Sequence, residues 1–277
     1  MKAALLQLNG TDDPGSNLIA SQALFDQAVS AGAEFILTPE VTNCVSMDRT
    51  HQSRVLTTEQ QDATLAALRA RAAQGSVWLL IGSLAVKTDD PDGRFANRSF
   101  LIDPTGDLVA RYDKIHMFDV DVSDSESYRE SAGYRPGERA IFHKMPGFTL
   151  GMTICYDLRF PHLFRDLAHS GAEVITVPSA FSTVTGAAHW ETLLRARAIE
   201  TGAYILAPAQ TGHHQKAQGY GRETYGHSLA IDPWGNILTD AGSPPGVSLI
   251  DINIGAVAEA RARIPAWQVS KSFGVPE

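Results

Sequence analysis

Hydrophobic periodicity changes along the chain in a way that predicts alternating helices and strands. In segments 16–31, 59–73 and 187–201, apolar residues recur every three or four positions, which is typical of amphipathic helices. In the third segment Glu191 precedes Arg195 by four positions, the spacing of a stabilising helical ion pair. The apolar face of that segment consists of Trp190, Leu193, Leu194 and Ala198. Each predicted helix therefore has one face to bury.

Two short signals occur twice along the chain, in the same order. Residues 32–39 (GAEFILTP) correspond to residues 171–178 (GAEVITVP), and in each copy a glycine that ends a helix precedes a short apolar strand stopped by proline. Residues 102–106 (IDPTG) correspond to residues 231–235 (IDPWG), a pattern that suits a type I turn between paired strands. Unless the likeness of such short strings is accidental, the chain consists of two similar halves.

Each half is therefore predicted to contain a helix, a strand, a helix, a strand and a hairpin. The hairpin strands are expected at 98–102 with 108–112 in the first half and at 228–231 with 236–238 in the second. Helices on only one side of each sheet leave two apolar sheet faces, which bury most economically against one another. We predict an α/β fold, a four-layer α-β-β-α sandwich that forms a single domain over residues 1–277.

Composition excludes several functional classes. The chain carries 31 acidic and 23 basic side chains, a formal net charge of −8, without a basic cluster of the kind that binds nucleic acid. No apolar stretch approaches the roughly 18 residues that span a bilayer. The apolar run at the start ends at Leu8, too early for a signal-peptide core. We therefore expect a cytoplasmic protein whose partners include neither nucleic acid nor membrane.

The two cysteines lie far apart in the sequence. Cys44 and Cys155 have neither the dense spacing of a disulfide scaffold nor the paired spacing of a zinc site. His213 and His214 are adjacent and likewise lack metal-ligand or triad spacing. We expect no metal and no other cofactor. Cys44 is assigned to packing, with a redox role as the remote alternative.

Cys155 is the candidate nucleophile. It follows the apolar segment 148–154 and precedes a turn toward a helix, a position where a rigid backbone presents a side chain to a cleft. If the turn leads into a helix, N–H groups around Tyr156 would lower the thiol pKa and stabilise an oxyanion. The alternative is that Cys155 is simply a small buried apolar residue.

Glu40 and Lys114 supply what such a nucleophile needs. Glu40 follows a strand-ending proline among apolar neighbours, so desolvation would raise its pKa toward the range of a general base. Lys114 begins an apolar segment, where its ammonium group would stabilise an oxyanion and hold Cys155 as a thiolate. A solvated loop glutamate and a surface lysine are the alternatives. Together the three residues suit hydrolysis of an amide to a carboxylate and ammonia through a thioester.

Three motifs around these residues resemble those of the nitrilase superfamily of carbon–nitrogen hydrolases. They are residues 37–40 (LTPE), 112–116 (YDKIH) and 151–161 (GMTICYDLRFP), in the order of that family. The likeness extends from the first strand to about Ile252. The resemblance implies an α-β-β-α sandwich and a catalytic set of Glu40, Lys114 and Cys155, with the Tyr156 N–H at the oxyanion.

The resemblance also implies a second glutamate, which braces the site and contacts the substrate. Glu130 fits that place, and Glu126 is the competing candidate with less similar surroundings. Both lie in segment 113–139, whose irregular composition and length suggest function or disorder. Within it, residues 121–127 are more acidic and less glycine-rich than expected, which leaves the shape of a lid open.

The nearest resemblance is to the branch that contains deaminated-glutathione amidase and omega-amidase. It is carried by residues 118–121, 179–181, 185–190, 195–200 and 225–228. In that branch an arginine four residues after the cysteine pairs with the substrate's carboxylate, and an aromatic residue and a threonine complete the pocket. The resemblance thus assigns Arg159, Phe181 and Thr185 to substrate binding. An arginine at that spacing also suits a bidentate carboxylate clamp; a structural salt bridge with Asp157 or Asp166 is the alternative.

The expected substrate is a small amide that bears a carboxylate, with deaminated glutathione favoured over α-ketoglutaramate. An N-carbamoyl hydrolase of the same superfamily and a non-catalytic binding subunit with this fold are the competing hypotheses. The resemblance further implies a homodimer formed through helices beside the active site. The tail at 264–277 is apolar at residues 265–267 and at Phe273, so we do not expect it to extend freely into solvent. This predicts that residues 253–277 lie at the dimer interface.

Overall fold

The computed structural model describes residues 1–123, 126–216, 221–269, 271 and 274, and only the backbone at 123 and 126. Its strands are β1 (Lys2–Gln7), β2 (Phe35–Leu37), β3 (Trp78–Val86), β4 (Ala96–Ile102), β5 (Leu108–Asp113), β6 (Asp119–Ser123), β7 (Glu126–Arg129), β8 (Ile141–Met145), β9 (Phe148–Met152), β10 (Val174–Thr176), β11 (Tyr204–Ala207), β12 (Thr211–His213), β13 (Glu223–Tyr225), β14 (Leu229–Ile231), β15 (Ile237–Asp240) and β16 (Gly246–Asp251). Its helices are α1 (Pro14–Ser30), α2 (Arg49–Val55), α3 (Ala63–Gly75), α4 (Pro161–His169), α5 (Thr183–Thr201) and α6 (Gly255–Arg263).

Two six-stranded sheets repeat the same topology. The first has the order β16-β1-β2-β3-β4-β5 and the second β15-β14-β11-β10-β9-β8. In each sheet three consecutive strands run parallel, β1-β2-β3 and β9-β10-β11, and the strand on either side of each trio is antiparallel to it. The edge strands β5 and β15 are in turn antiparallel to β4 and β14. When the second order is reversed, β8 corresponds to β16 and β9 to β1. The internal duplication predicted from the repeated signals is therefore present in the fold.

The two repeated turns have the same geometry. Gly106 donates its N–H to the Asp103 carbonyl at 2.9 Å, and Gly235 donates to the Asp232 carbonyl at 3.0 Å. Both glycines have positive φ, 86° and 89°, which a residue with a β-carbon rarely adopts. The turns join β4 to β5 and β14 to β15, so both predicted hairpins are confirmed.

The side chains of β1 show how the four layers form. Alternate residues of a strand point to opposite faces. Ala3 and Leu5 belong to the apolar cluster that also contains side chains of the second sheet, whereas Ala4 and Leu6 belong to the cluster filled by α1 and α3. The sheets thus pack face to face with helices outside. This is the α-β-β-α sandwich expected from the sequence.

The predicted helices are present, with shifted starts. The segment predicted as one helix from residue 59 is divided, because the Asp62 carboxylate accepts the Leu65 N–H at 2.8 Å and caps a new helix, α3. A separate short 3-10 turn, Glu59–Gln61, precedes it. In α5 the predicted pair Glu191 and Arg195 forms at 3.2 Å.

Segment 113–139 was expected to be irregular, and this expectation is partly wrong. It contains the antiparallel hairpin of β6 and β7, which pairs Asp119 with Arg129 and Val120 with Tyr128. Residues 124 and 125 at its tip lie outside the described residues, so the predicted lid is described only in part. In the described part of the chain, no helix has the length and apolar character needed to cross a membrane.

Candidate active site

The site lies where strands of both sheets end. Glu40 follows β2, and Lys114 follows β5 in the same sheet. Cys155 follows β9 and Ala180 follows β10 in the other sheet. Because the sheets pack face to face, these ends meet between them. The three residues predicted to act together are thus brought to one place from positions far apart in the sequence.

The Glu40 carboxylate is held from three directions. One oxygen accepts hydrogen bonds from Lys114 Nζ and from Asn97 Nδ2, both at 2.9 Å. The other oxygen accepts the Ala180 backbone N–H at 2.8 Å. Only 5% of Glu40 is exposed, and its charge helps to raise the pKa of the neighbouring Cys155 thiol. The carboxylate is therefore held in one orientation by Lys114, Asn97 and the Ala180 backbone.

Lys114 joins Glu40 to the second predicted glutamate. Its Nζ lies 2.8 and 3.0 Å from the two carboxylate oxygens of Glu130, and the residue is 2% exposed. Glu130 is itself held by the Phe118 backbone N–H at 2.7 Å. The structure thus places Glu130 in the site. The side chain of Glu126, the competing candidate, lies outside the described residues.

Cys155 has an unusual backbone conformation. Its φ is +49°, in the left-handed region, and its N–H donates to the Pro178 carbonyl at 3.0 Å. It begins a short 3-10 helix, Cys155–Arg159, so the next N–H, that of Tyr156, is in the first turn, where no intrahelical carbonyl can accept it. A strained turn at a reactive residue is a recurrent way of presenting a nucleophile.

The turn at Cys155 is held by a buried aspartate. Asp157 accepts hydrogen bonds from the Ile154 N–H at 2.8 Å and from the Tyr112 hydroxyl at 2.6 Å. His116 adds its backbone N–H at 3.1 Å and its ring Nδ1 at 2.6 Å. Desolvation, the charge of Asp157 and the hydrogen bond between Tyr112 and Asp157 raise the pKa of Tyr112, so its hydroxyl keeps its proton and remains a donor. The Tyr112-Asp157-His116 network links β5 to the cysteine turn.

Two expectations about protonation are wrong. Burial alone would raise the pKa of Glu40, but the Lys114 ammonium group and hydrogen bonds outweigh it, so that pKa is lowered rather than raised. Burial and the Glu40 charge raise the pKa of the Cys155 thiol well above its usual range, despite the opposing effect of Lys114. Burial by itself would lower the pKa of Lys114, but the charges of Glu130 and Glu40 have the larger, opposite effect. The pKa of Lys114 is therefore well above its ordinary value. At neutral pH the site therefore holds a carboxylate, an ammonium group and a neutral thiol.

A cavity of about 160 Å³ opens onto these groups. Phe181 and Thr185, both predicted to bind substrate, line it together with Tyr156. The Thr185 hydroxyl is buried and, within the described part of the chain, has no hydrogen-bond partner. Phe181 is 5% exposed and packs on Trp190, with ring centroids 4.9 Å apart. The cavity thus has an apolar wall and an unused hydroxyl.

Arg159 lies beside the cavity wall rather than in it. Its guanidinium carbon is 5.5 Å from the Phe181 ring centroid and 5.9 Å from that of Tyr156. Its Nη2 lies 3.3 Å from Nδ1 of His189. Among the described residues it forms no ion pair with Asp157 or Asp166, so the salt-bridge alternative is not realised.

Sequence reasoning missed Asn97 and the arginines of the cavity. Asn97 is 2% exposed and donates to Glu40 and, at 3.2 Å, to Glu130. Arg49, Arg129 and Arg222 line the cavity from segments distant in the sequence. No local pattern marks any of the four, because their role depends on which strand ends meet.

The carbon-nitrogen hydrolase family model matches residues 2–262, and the chain belongs to that family. Relatives include a deaminated glutathione amidase of Synechocystis sp., 39% identical over 268 residues, 96% of each chain. The deaminated glutathione amidase of Yersinia enterocolitica is 42% identical over 253 residues, 91% of this chain and 85% of the relative.

Solved structures agree with this assignment. The NitFhit protein of C. elegans is similar over 98% of this chain, with a TM-score of 0.89 and 31% identity; the chain spans 65% of that longer protein. An amidase from Nesterenkonia sp., with acrylamide added at its active site cysteine, has a TM-score of 0.77 and 25% identity over 96% of this chain and 98% of its own. The predicted superfamily, fold and enzyme class, a cysteine-dependent amidase, are confirmed. The hypothesis of a non-catalytic binding subunit is set aside.

Proposed function

We propose that this amidase hydrolyses deaminated glutathione, with Glu40, Lys114, Cys155 and Glu130 as its catalytic residues. The observation that carries the proposal is the buried Lys114 ammonium group, which lies between two carboxylates beside the Cys155 thiol at the base of a cavity. Relatives of this chain, among them one that is 42% identical over 253 residues, are deaminated glutathione amidases.

The protonation states support a general-base route rather than a preformed thiolate. Glu40 takes the thiol proton as the Cys155 sulfur attacks the amide carbonyl, since the thiol is neutral and the carboxylate ionised at rest. Lys114 and the Tyr156 N–H stabilise the oxyanion. Glu40 then protonates the leaving nitrogen, and a water molecule activated by the same carboxylate hydrolyses the thioester. Glu130 holds Lys114 in place throughout.

The chemistry of this substrate changes one expected product. Its amide joins a five-carbon keto diacid to the nitrogen of cysteinylglycine, so cleavage releases a dipeptide. Ammonia is released only from a primary amide such as α-ketoglutaramate, which has the same acyl group. Ammonia, expected from the sequence, is therefore the product of the omega-amidase reaction and not of the favoured one.

We propose that Arg159, Phe181 and Thr185 bind the acyl half. Thr185 supports this role because it lines the cavity and its buried hydroxyl lacks a partner among the described residues. Arg159 packs beside Tyr156 and Phe181, two aromatic residues of the cavity wall. A guanidinium group there would pair with the keto acid's carboxylate.

The test is hydrolysis of deaminated glutathione and α-ketoglutaramate by the purified protein, with release of cysteinylglycine and ammonia measured in parallel. Higher kcat/KM for deaminated glutathione would support the proposal, and Cys155→Ala should abolish both reactions. Higher kcat/KM for α-ketoglutaramate would make the protein an omega-amidase. Hydrolysis that persists in Cys155→Ala would exclude the catalytic assignment.

A homodimer, a cytoplasmic location and a single domain over residues 1–277 complete the proposal. The single domain is supported by the pairing of β1 with β16, since Lys2 lies opposite Asp251, which is 249 positions later in the sequence. The proposed interface includes residues 253–277. Of these, residues 270, 272, 273 and 275–277 lie outside the described residues.

A further inference from the structure

The cavity is more basic than the protein around it. Its lining includes the acidic Glu40 and Glu130, whereas its cationic residues are Arg49, Lys114, Arg129 and Arg222. The chain as a whole has a net charge of −8. A cleft of opposite sign to the molecule concentrates anions at its mouth. The cavity is therefore suited to a substrate with more than one negative charge.

Two of these cations are already neutralised and two are not. Lys114 lies between Glu40 and Glu130, and Arg129 pairs with Asp121 at 2.7 Å. By contrast, neither Arg49 nor Arg222 has an acidic partner in the part of the chain that the structure describes. These two guanidinium groups are the cations that a bound anion would meet.

Arg222 is the more enclosed of the two. It donates one hydrogen bond, from Nη2 to the Ala180 carbonyl, and its guanidinium carbon lies 5.6 Å from the Tyr128 ring centroid. Its Nε is buried and, among the described residues, has no hydrogen-bond acceptor. A buried donor without an acceptor is costly unless a ligand satisfies it. Arg49 is exposed at the beginning of α2 and supplies a second charge at the mouth.

The position of Arg222 relative to Glu40 indicates which part of a substrate it would meet. Ala180 accepts from Arg222 through its carbonyl and donates to Glu40 through its N–H. Since Glu40 is the group that protonates the departing nitrogen, a cation beside it faces the amine half. Arg159 packs instead on Phe181 and Tyr156, on the side proposed for the acyl half.

We propose that Arg222, assisted by Arg49, forms a second anion subsite, which binds the carboxylate of the amine leaving group. The inference rests on the proposed function and specifies its substrate class. The enzyme then selects amides whose amine half is an amino acid or peptide with a free carboxylate. Primary amides lack this group and gain nothing from the subsite. The same two arginines would thus decide between dipeptide release and ammonia release.

The experiment compares deaminated glutathione with the same molecule whose terminal carboxylate is a carboxamide. We expect the wild-type enzyme to favour the free acid in kcat/KM by roughly tenfold or more, the factor expected for a hydrogen bond to a charged group. Arg222→Gln should reduce this preference to about one. Because both substrates depend equally on the Ala180 contact, their ratio cancels any general damage to Glu40.

Arg129→Gln is the matched control, since Arg129 lines the same cavity but already pairs with Asp121. It should retain the wild-type ratio, and Arg49→Gln should reduce it only in part. Equal hydrolysis of both substrates by the wild-type enzyme would overturn the proposal. So would an Arg222→Gln variant that loses activity on both by the same factor, because Arg222 would then only support Ala180.

Binding to the Cys155→Ala variant separates the subsite from the proposed reaction. Calorimetry with the free acid and the carboxamide should show tighter binding of the acid, and addition of Arg222→Gln should remove the difference. If the wild-type enzyme hydrolyses neither compound yet this binding difference is present, the proposed reaction is wrong and the subsite is supported. If the two compounds bind Cys155→Ala equally, the subsite is wrong whatever the turnover.

Discussion

At the scale of single residues, Lys114 sets the charge state of the site. It is 2% exposed and is surrounded by the carboxylates of Glu40 and Glu130 and by the Asn97 amide that bonds both of them. Removing one ion from a buried ion pair leaves the charge of its partner unpaired, which costs about 3–5 kcal/mol of folding stability. Lys114 therefore stabilises the fold locally as well as serving the proposed chemistry.

Lys114→Met should lower both stability and activity. We expect a loss of about 3–5 kcal/mol in the free energy of unfolding and loss of hydrolysis, measured by urea denaturation and by turnover. Without the ammonium group, burial would raise the pKa of Glu40, so the variant should be destabilised less at acidic than at neutral pH. Lys144→Met, at an exposed position of β8, is the control and should change neither quantity. A fully stable Lys114→Met protein would contradict the proposed charge balance.

The pH dependence of kcat/KM distinguishes a general base from a preformed thiolate. The pKa of Glu40 is below its ordinary value of 4.5, so its carboxylate persists through neutral pH and is lost only as the pH falls through that lowered value. We expect a plateau at neutral pH and a decrease only in acid. The stability contributed by the ionised carboxylate should decrease in the same direction. A rate that instead rises with deprotonation of a thiol near pH 8 would contradict the mechanism.

Glu40→Gln tests the base directly. The substitution keeps the size of the side chain and removes its ability to accept the thiol proton, so kcat should fall by about 10²–10⁴. Asn97→Asp is the companion variant, because it replaces the donor to both carboxylates with a third negative charge. It should raise the pKa of Glu40 and shift the acid limb of the rate profile upward. An unshifted profile would mean that Asn97 does not influence the base.

At the scale of elements, the loop after β2 depends on a glycine in β3. A β-carbon at Gly82 would meet the backbone carbonyl of Thr38 and lie 2.6 Å from that of Pro39, directly before Glu40. Gly82→Ala should therefore displace the loop that carries Glu40. We expect kcat, measured by turnover, to fall severely, and the melting temperature, measured by thermal denaturation, to change less in proportion. Gly246→Ala in β16 is the control, because nothing lies within 4 Å of its β-carbon position. Equal activity of the two variants would refute the expectation.

Local patterns account for most elements, and long-range contacts account for what the sequence could not predict. The turns at Gly106 and Gly235 are determined by neighbouring residues, so their repetition could be recognised. The partners of Asn97 and Arg222 lie in other elements, and only the packed sheets bring them together. The same reason explains why the pKa of Glu40 is shifted down and not up as expected. The apolar neighbours of Glu40 are visible in the sequence, whereas its distance to Lys114 is not.

At the scale of the whole molecule, exposed apolar side chains lie together on α5 and on the adjacent hairpin of β14 and β15. Ile199 is 55% exposed and lies against the turn at Gly235, while Trp234 is 42% exposed in the same turn. Ile237 and Leu238 follow in β15 and are 40% and 44% exposed. Because Thr185, in the first turn of α5, lines the cavity, a partner bound to this surface would stabilise the substrate wall. These exposed residues support the proposed homodimer.

Ile199→Glu should dissociate that dimer, because it places a charge within the apolar surface. Ile19→Glu on α1, where the side chain is 70% exposed, is a matched control that should leave the mass unchanged. Sedimentation or light scattering would give the mass of each variant, and turnover would be measured at the same protein concentrations. A dimeric Ile199→Glu protein would exclude this surface as the interface. A wild-type protein of monomer mass, 29.9 kDa, would exclude the dimer itself.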